Sequence, residues 1–477
     1  MPFVPYFVHM MRTVLLFLLL AIAGASQGQT DSLAWIGDIS ITGAKRTQES
    51  VILREVQFRI GDTLSLAALP GLMEESRLLL LSTGLFTQVS IYYQSWEAAS
   101  SRVHIAIGLE EAWYLYPLPV FELADRNFNV WWVEQNRALN RVNYGLDFSH
   151  LNFSGNRDPL KLKIQFGYTR KYNIRYTLPY INRQKTIGLG FNVDYSENKE
   201  LNYATVLNKQ AFWRLEDRIV HDRFRTDVSL SYRPGARRYH YAELSFLHNR
   251  LDPFVADSLN VDYFLGGRRQ QRYFALTYEF AADFRNIRAF ATDGYYVKFR
   301  IRKDGLGFFG DRDALTLTSR IERFIPLQQR WNLALISDGK YSMIRKPQPY
   351  NDNRALGFNK VSLPGYEYYI ADGLDLALLR AVLRYKLVDQ EAKFGRWVPL
   401  PAYRRVPMKI YLALNAGWAI AHDPFQGVFH NPLNNRPLWG GGLALHAVLL
   451  NDKVLMIEYS VNHLMEKGLF LHLNMNI

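Results

Sequence analysis

From Trp113 to Ile477, apolar and polar residues alternate one by one. Leu162, Ile164, Phe166 and Tyr168 are interleaved with Lys161, Lys163, Gln165 and Gly167, and Val297, Phe299 and Ile301 with Lys298, Arg300 and Arg302. The last ten residues set Leu469, Leu471, Leu473, Met475 and Ile477 against Phe470, His472, Asn474 and Asn476. A period of two places successive side chains on opposite faces of a strand, so each run lies between two environments. Such runs start near Trp113, Val142, Leu160, Tyr172, Lys185, Arg223, Arg238, Gln270, Gly294, Asp313, Arg330, Asp372, Met408, Pro437, Lys453 and Gly468, with Val206 to Asp217 as a further candidate. Long polar connections follow the first, fifth, seventh and eleventh runs, at Ala124 to Arg141, Glu197 to Asp222, Leu251 to Arg269 and Ile344 to Ala371. Between them lie short turns such as Gly155 to Pro159, Asn182 to Gln184 and Pro234 to Arg237. An even set of about sixteen strands with alternating short and long connections predicts a transmembrane antiparallel β-barrel over residues 113–477. Asp389 to Pro407 departs from the alternation, being long where a short turn is expected.

Ahead of the barrel the pattern reads strand, helix, helix, strand, strand. Ile36 to Thr42 is a β run closed by Gly43. Thr47, with Glu49 behind it, is expected to cap a helix through Val56, and Ser65 a second helix through Arg77 and the leucines that follow, with Gly84 as its C′ glycine. Gln88 to Gln94 and Arg102 to Leu109 alternate as strands. The residues Ile39-Ser40-Ile41-Thr42-Gly43, Gly61-Asp62 and Arg77, followed by Ser82-Thr83-Gly84-Leu85-Phe86 and Val89, resemble a polypeptide-transport-associated (POTRA) domain. That resemblance assigns residues 33–112 to one α/β domain on the periplasmic side, with Arg77, Thr83, Gly84, Leu85 and Phe86 as its signature. Only one such repeat fits before the barrel. At the N-terminus, Arg12, the apolar run Val14 to Ala23 and Ala23-Gly24-Ala25 predict a signal peptide over residues 1–28.

Composition narrows the picture. Aromatic residues make up 14% of the chain, with 29 Tyr and 29 Phe, which fits strands that face lipid on one side only. The formal charge is +13, yet Lys and Arg are scattered singly, as in Tyr295 to Lys303. This favours a polar lumen or contact with anionic lipid headgroups over a nucleic-acid patch. Cysteine is absent, which excludes disulfides and thiolate metal sites. His240, His248 and His446 are isolated in strand-like runs. Gly440-Gly441-Gly442 is followed by neither Lys-Ser/Thr nor a helix, so it is no phosphate loop. The expectation is a protein that is not an enzyme and needs no cofactor or metal.

The last motif is Ser362-Leu363-Pro364-Gly365-Tyr366-Glu367-Tyr368-Tyr369 in the longest outer connection. Further signs are Tyr176-Thr177-Leu178-Pro179-Tyr180 before Gly188-Leu189-Gly190, and Asp283-Phe284-Arg285-Asn286 before Asp293-Gly294. With the POTRA domain in front, the chain resembles the BamA/TamA superfamily of outer-membrane assembly and translocation factors. The resemblance implies a sixth outer loop folded back into the barrel, where a valine-arginine-glycine-aromatic motif meets an acidic residue within an aromatic-x-Asp-x-Gly wall pattern. Here the loop reads Leu363-Pro364-Gly365-Tyr366, and the wall pattern falls on Asn415 and Gly417. Both charges are missing, and losing them together avoids a buried unpaired charge. The loop is therefore expected to enter the lumen, with Asn415 as a neutral partner.

Pro117 and Pro119 stand two apart in the first strand. Amides two residues apart point to the same neighbour, so both missing donors lie on one edge. The second strand is the hairpin partner, so that edge is assigned to the last strand, with Leu469, Leu471 and Leu473, giving a weak seam. The resemblance then implies a factor that takes unfolded outer-membrane or secreted clients through its POTRA domain and passes them through the seam. Its partners would be periplasmic or lipoprotein subunits and the lipid bilayer, with no nucleic acid. The alternative is a structural or anchoring barrel in a larger outer-membrane complex.

Overall fold

The computed structural model describes residues 32–475 except 98–100, 183, 359–360, 394–404, 426–428 and 451–452. The predicted signal peptide therefore lies outside the described residues.

The N-terminal domain is a four-stranded sheet carrying two helices, Glu49–Glu55 and Leu69–Ser82. Strand Leu33–Thr42 runs parallel to Arg102–Glu111, which pairs antiparallel with Phe86–Glu97. Alternate residues of these strands close over the helices, burying Ile36, Ile52, Phe58, Leu80, Leu85, Ile105 and Ile107. Two helix starts differ from expectation. Thr47 does not cap the first helix; its hydroxyl meets that of Tyr114 at 2.8 Å and accepts from Asn152 Nδ2 at 3.1 Å. Ser65 ends a short strand, Thr63–Ser65, paired with Leu33, Ala34 and Trp35. The second helix starts later, where Pro70 presets the backbone of the first turn. Gly84 ends it with φ +75°, a left-handed value that suits glycine.

Sixteen strands, from Leu115–Leu123 to Lys467–Met475, form one sheet in which each strand pairs antiparallel with its chain neighbours in the wall. The sheet is not closed: among the described residues no ladder joins the first strand to the last. On the outer face Tyr144, Leu146, Ile164, Phe166, Phe191 and Val193 are exposed. A patch of that extent belongs in lipid. The inner face is polar and cross-braced, as by Asn192 Nδ2 donating to Asp227 at 2.9 Å, Arg225 paired with Glu243 at 2.8 Å and Arg320 with Asp338 at 3.2 Å. Paired charges of this kind avoid the cost of isolated ions in a low-dielectric wall.

Val206 to Asp217 is not a wall strand. It falls in a hairpin, Glu200–Val206 with Lys209–Arg214, that leaves the wall above the lumen. Leu207 and Asn208 both have positive φ, the two-residue turn that matches strand twist. The buried Asn208 side chain donates to the Ile370 carbonyl and to Asn434 Oδ1, each at 2.9 Å, tying the hairpin to two other outer connections. At the long connection Asp389 to Pro407 the flanking strands run on to Lys393 and resume at Arg405. Its centre, 394–404, lies outside the described residues.

Candidate functional site

The motif loop is seated against the inner wall. Tyr366 N donates to Leu363 O at 3.0 Å across a turn with Pro364 second and Gly365, at φ +82°, third. Proline presets the first central φ and glycine accepts the positive second, the type II pattern. Leu363 is 0% exposed and Tyr366 2%. The Tyr366 hydroxyl meets His463 Nδ1 and donates to the Trp439 carbonyl at 3.3 Å, while Asn462 Nδ2 donates to Gly365 O at 2.9 Å. Tyr369 donates to Glu466 at 2.7 Å. Glycines in the wall make room: a Cβ on Gly440 would lie 2.0 Å from the Pro364 carbonyl oxygen, and one on Gly417 would lie 2.6 Å from Leu363 Cδ1. Thus Gly440 has a positive reason in the sequence, since glycine in mid-strand often marks close approach of another backbone.

Gly417 touches the loop, whereas Asn415 spends its amide donor on Glu458 at 2.7 Å. The loop instead takes its cationic contact from the first outer connection. Arg126 donates to the carbonyls of Gly357 at 3.2 Å and of Tyr368 and Tyr369 at 3.0 Å, and Asn127 Nδ2 donates to Glu367 O at 2.8 Å. Replacing Arg126 by Ala leaves these carbonyls without their charged donor. It is expected to cost about 1.5–3 kcal/mol and to speed amide exchange over 357–370, measured by mass spectrometry, with Asn462 and its neighbours unchanged.

The open edges follow from hydrogen-bond parity. Leu151 N donates to Tyr114 O and Ala124 N to Arg141 O. With the unbroken register between them, even-numbered residues of the first strand face the second strand. Leu115, Pro117, Pro119, Phe121 and Leu123 therefore present their backbone to the free edge, where both prolines lack an N–H. In the last strand, Asn462 N donates to Glu466 O, so even residues face the neighbour within the sheet. Leu469, Leu471 and Leu473 present theirs to the free edge. The Leu469 carbonyl accepts from Asn129 Nδ2 of the first outer connection.

Beneath the lumen, the N-terminal domain is fastened to three short turns of the barrel. Glu55 is held by Arg233 through two bonds of 2.9 and 3.0 Å and by Arg157 at 3.2 Å. Arg54 reaches the carbonyls of Lys185 and Arg233, and Glu75 pairs with Arg237 at 2.8 Å. At the junction, burial would raise the Glu111 carboxyl, but the amides of Thr47 and Arg46, at 2.7 and 3.0 Å, hold it below its ordinary value. Of the predicted signature residues, Leu85 and Phe86 are core, and Thr83 accepts from Leu85 N at 3.1 Å. Arg77 pairs with Glu74 on the domain surface.

Between loop and wall lies a cavity of about 1390 Å³. Among the described residues no group of three or more His, Cys, Asp or Glu could hold a metal ion.

Comparison with known proteins agrees with this geometry. The Omp85 superfamily domain matches residues 152–375, and a POTRA model, described as a surface antigen variable number repeat, matches residues 35–112. The structure is similar to that of BamA from Haemophilus ducreyi lacking POTRA domains 1-3, with a TM-score of 0.52 at 15% identity, over 92% of this chain and 83% of that one. It is also similar to CdiB from Acinetobacter baumannii, with a TM-score of 0.50 at 14% identity, over 93% and 73% of the respective chains. No curated protein matches the chain.

Proposed function

Since residues 152–375 match the Omp85 superfamily domain and residues 35–112 a POTRA model, we propose that the protein is an outer-membrane assembly or translocation factor whose open seam passes client strands between lumen and lipid. The observation that carries this reading is the pair of unmatched edges: a first strand lacking the amides of Pro117 and Pro119, beside a last strand whose odd-numbered backbone groups have no strand partner among the described residues. An unpaired edge is a template for an incoming strand, which gains main-chain hydrogen bonds as it pairs. The last strand is the better template, because its edge contains no proline. The free energy would come from client folding, so the reading calls for no nucleotide.

The N-terminal domain is the receiving part. Among the described residues its strand Phe86–Glu97 pairs on one side only, with Arg102–Glu111, and it carries exposed Tyr92, Tyr93 and Trp96. That edge suits an extended client segment, with aromatic rings to hold its side chains. The domain is periplasmic in this reading, since it packs against the short turns.

The test is insertion in a defined bilayer. Vesicles of phosphatidylethanolamine and phosphatidylglycerol containing this protein should take up a urea-unfolded outer-membrane barrel several-fold faster than empty vesicles, read by the gel shift of the folded client. Equal rates would overturn the reading.

A further inference from the structure

The first outer connection has two faces. Arg126 and Asn127 bond inward to the seated loop, and the next polar residue, Asn129, donates to the Leu469 carbonyl on the free edge of the last strand. That bond holds the segment at the outer end of the gap between the first and last strands. Phe128, which also lines the cavity, and Trp132, Val133 and Leu139 are exposed. Phe128 stacks on Trp132 at 5.3 Å, and the guanidinium of Arg137 lies 3.9 Å from the Trp132 ring centroid.

We propose that this aromatic face is a lipid-binding surface, seated in the outer leaflet at the boundary between acyl chains and headgroups. Three observations select lipid as the occupant. The patch adjoins the lipid-facing side of the wall, where Phe121 of the first strand is 76% exposed and Leu469 of the last is 63%. Indole and phenyl rings beside an arginine match the chemistry of that boundary, where aromatic bodies sit at headgroup depth and a cation reaches the anionic groups. The segment is also fastened on both sides, by Asn127 to the seated loop and by Asn129 to the last strand, which holds it beside that lipid-facing edge. The inference does not depend on the assembly reading, because a barrel serving only as an anchor would seat the same rings in lipid.

The absence of cysteine makes site-directed spin labelling direct. Val133→Cys, Leu139→Cys, a wall reference Phe121→Cys and a water-side reference Leu207→Cys are each labelled with a nitroxide in the full chain. The chains are reconstituted in phosphatidylcholine–phosphatidylglycerol vesicles. Power saturation compares relaxation by oxygen, which concentrates in lipid, with relaxation by a nickel chelate, which stays in water. The proposal expects the Val133 label to follow Phe121, with oxygen accessibility several-fold above that of nickel, and Leu139 to lie between the references. Nickel accessibility at Val133 equal to that at Leu207 would overturn it. As a check free of labels at the patch, brominated lipid should quench less of the total tryptophan emission after Trp132→Phe. Unchanged quenching would also count against the proposal.

Discussion

Replacing Glu55 by Ala should loosen the N-terminal domain from the barrel while leaving that domain folded. Glu55 is 1% exposed and accepts from Arg233 and Arg157, which come from two different turns. Removing one partner of a buried ion pair strands the other charge and typically costs about 3–5 kcal/mol. The arginines keep part of their exposure, so the low end of that range applies. The domain's own core consists of other side chains, so its melting should change little. The change should appear instead as faster amide exchange at 153–158 and 233–237 and as proteolysis between domain and barrel. Adding Arg233→Ala should cost less than the two single changes summed, since the second removes a charge already stranded. Native-like exchange at both turns in Glu55→Ala would show that the domain is held by other contacts.

The sequence shows this attachment poorly. Glu55 ends an ordinary amphipathic helix, and its partners lie about a hundred residues or more away in turns whose arginines resemble any surface arginine. The wall was far more legible. A strand between lipid and a polar lumen must alternate, and in nearly every case the alternation of Leu162 to Gly167 or of Val297 to Arg302 continues into a strand of the sheet. The same logic misplaces Val206 to Asp217, because a hairpin folded over the lumen also has one buried and one open face. Alternation reports two environments without saying which they are.

The seated loop was legible in part. Pro364-Gly365 announces a type II turn, and the matching losses at the loop motif and at Asn415 indicate that no Arg–carboxylate pair forms there. Its actual fastening by Arg126 could not be read, because the partners are main-chain carbonyls, which every residue carries. Gly440 was readable in principle. Three glycines inside a strand weaken it unless something approaches closely, and here the Pro364 carbonyl does.

The second large effect concerns passage through the seam. If clients move between the first and last strands, a covalent link across those edges should stop insertion altogether and leave the fold intact. Phe121 and Leu469 suit such a link, since both face lipid, both lie on free edges and neither substitution touches the prolines. The native chain has no cysteine, so Phe121→Cys with Leu469→Cys gives one defined pair, closed by oxidation or by a short bis-maleimide. The decisive measurement is client insertion into vesicles by this variant, reduced and then crosslinked. The reduced form should accelerate insertion like the native chain, whereas the crosslinked form should fall to the rate of empty vesicles and, when oxidised, recover with reductant. Native-rate insertion by a fully crosslinked barrel would contradict passage through the seam.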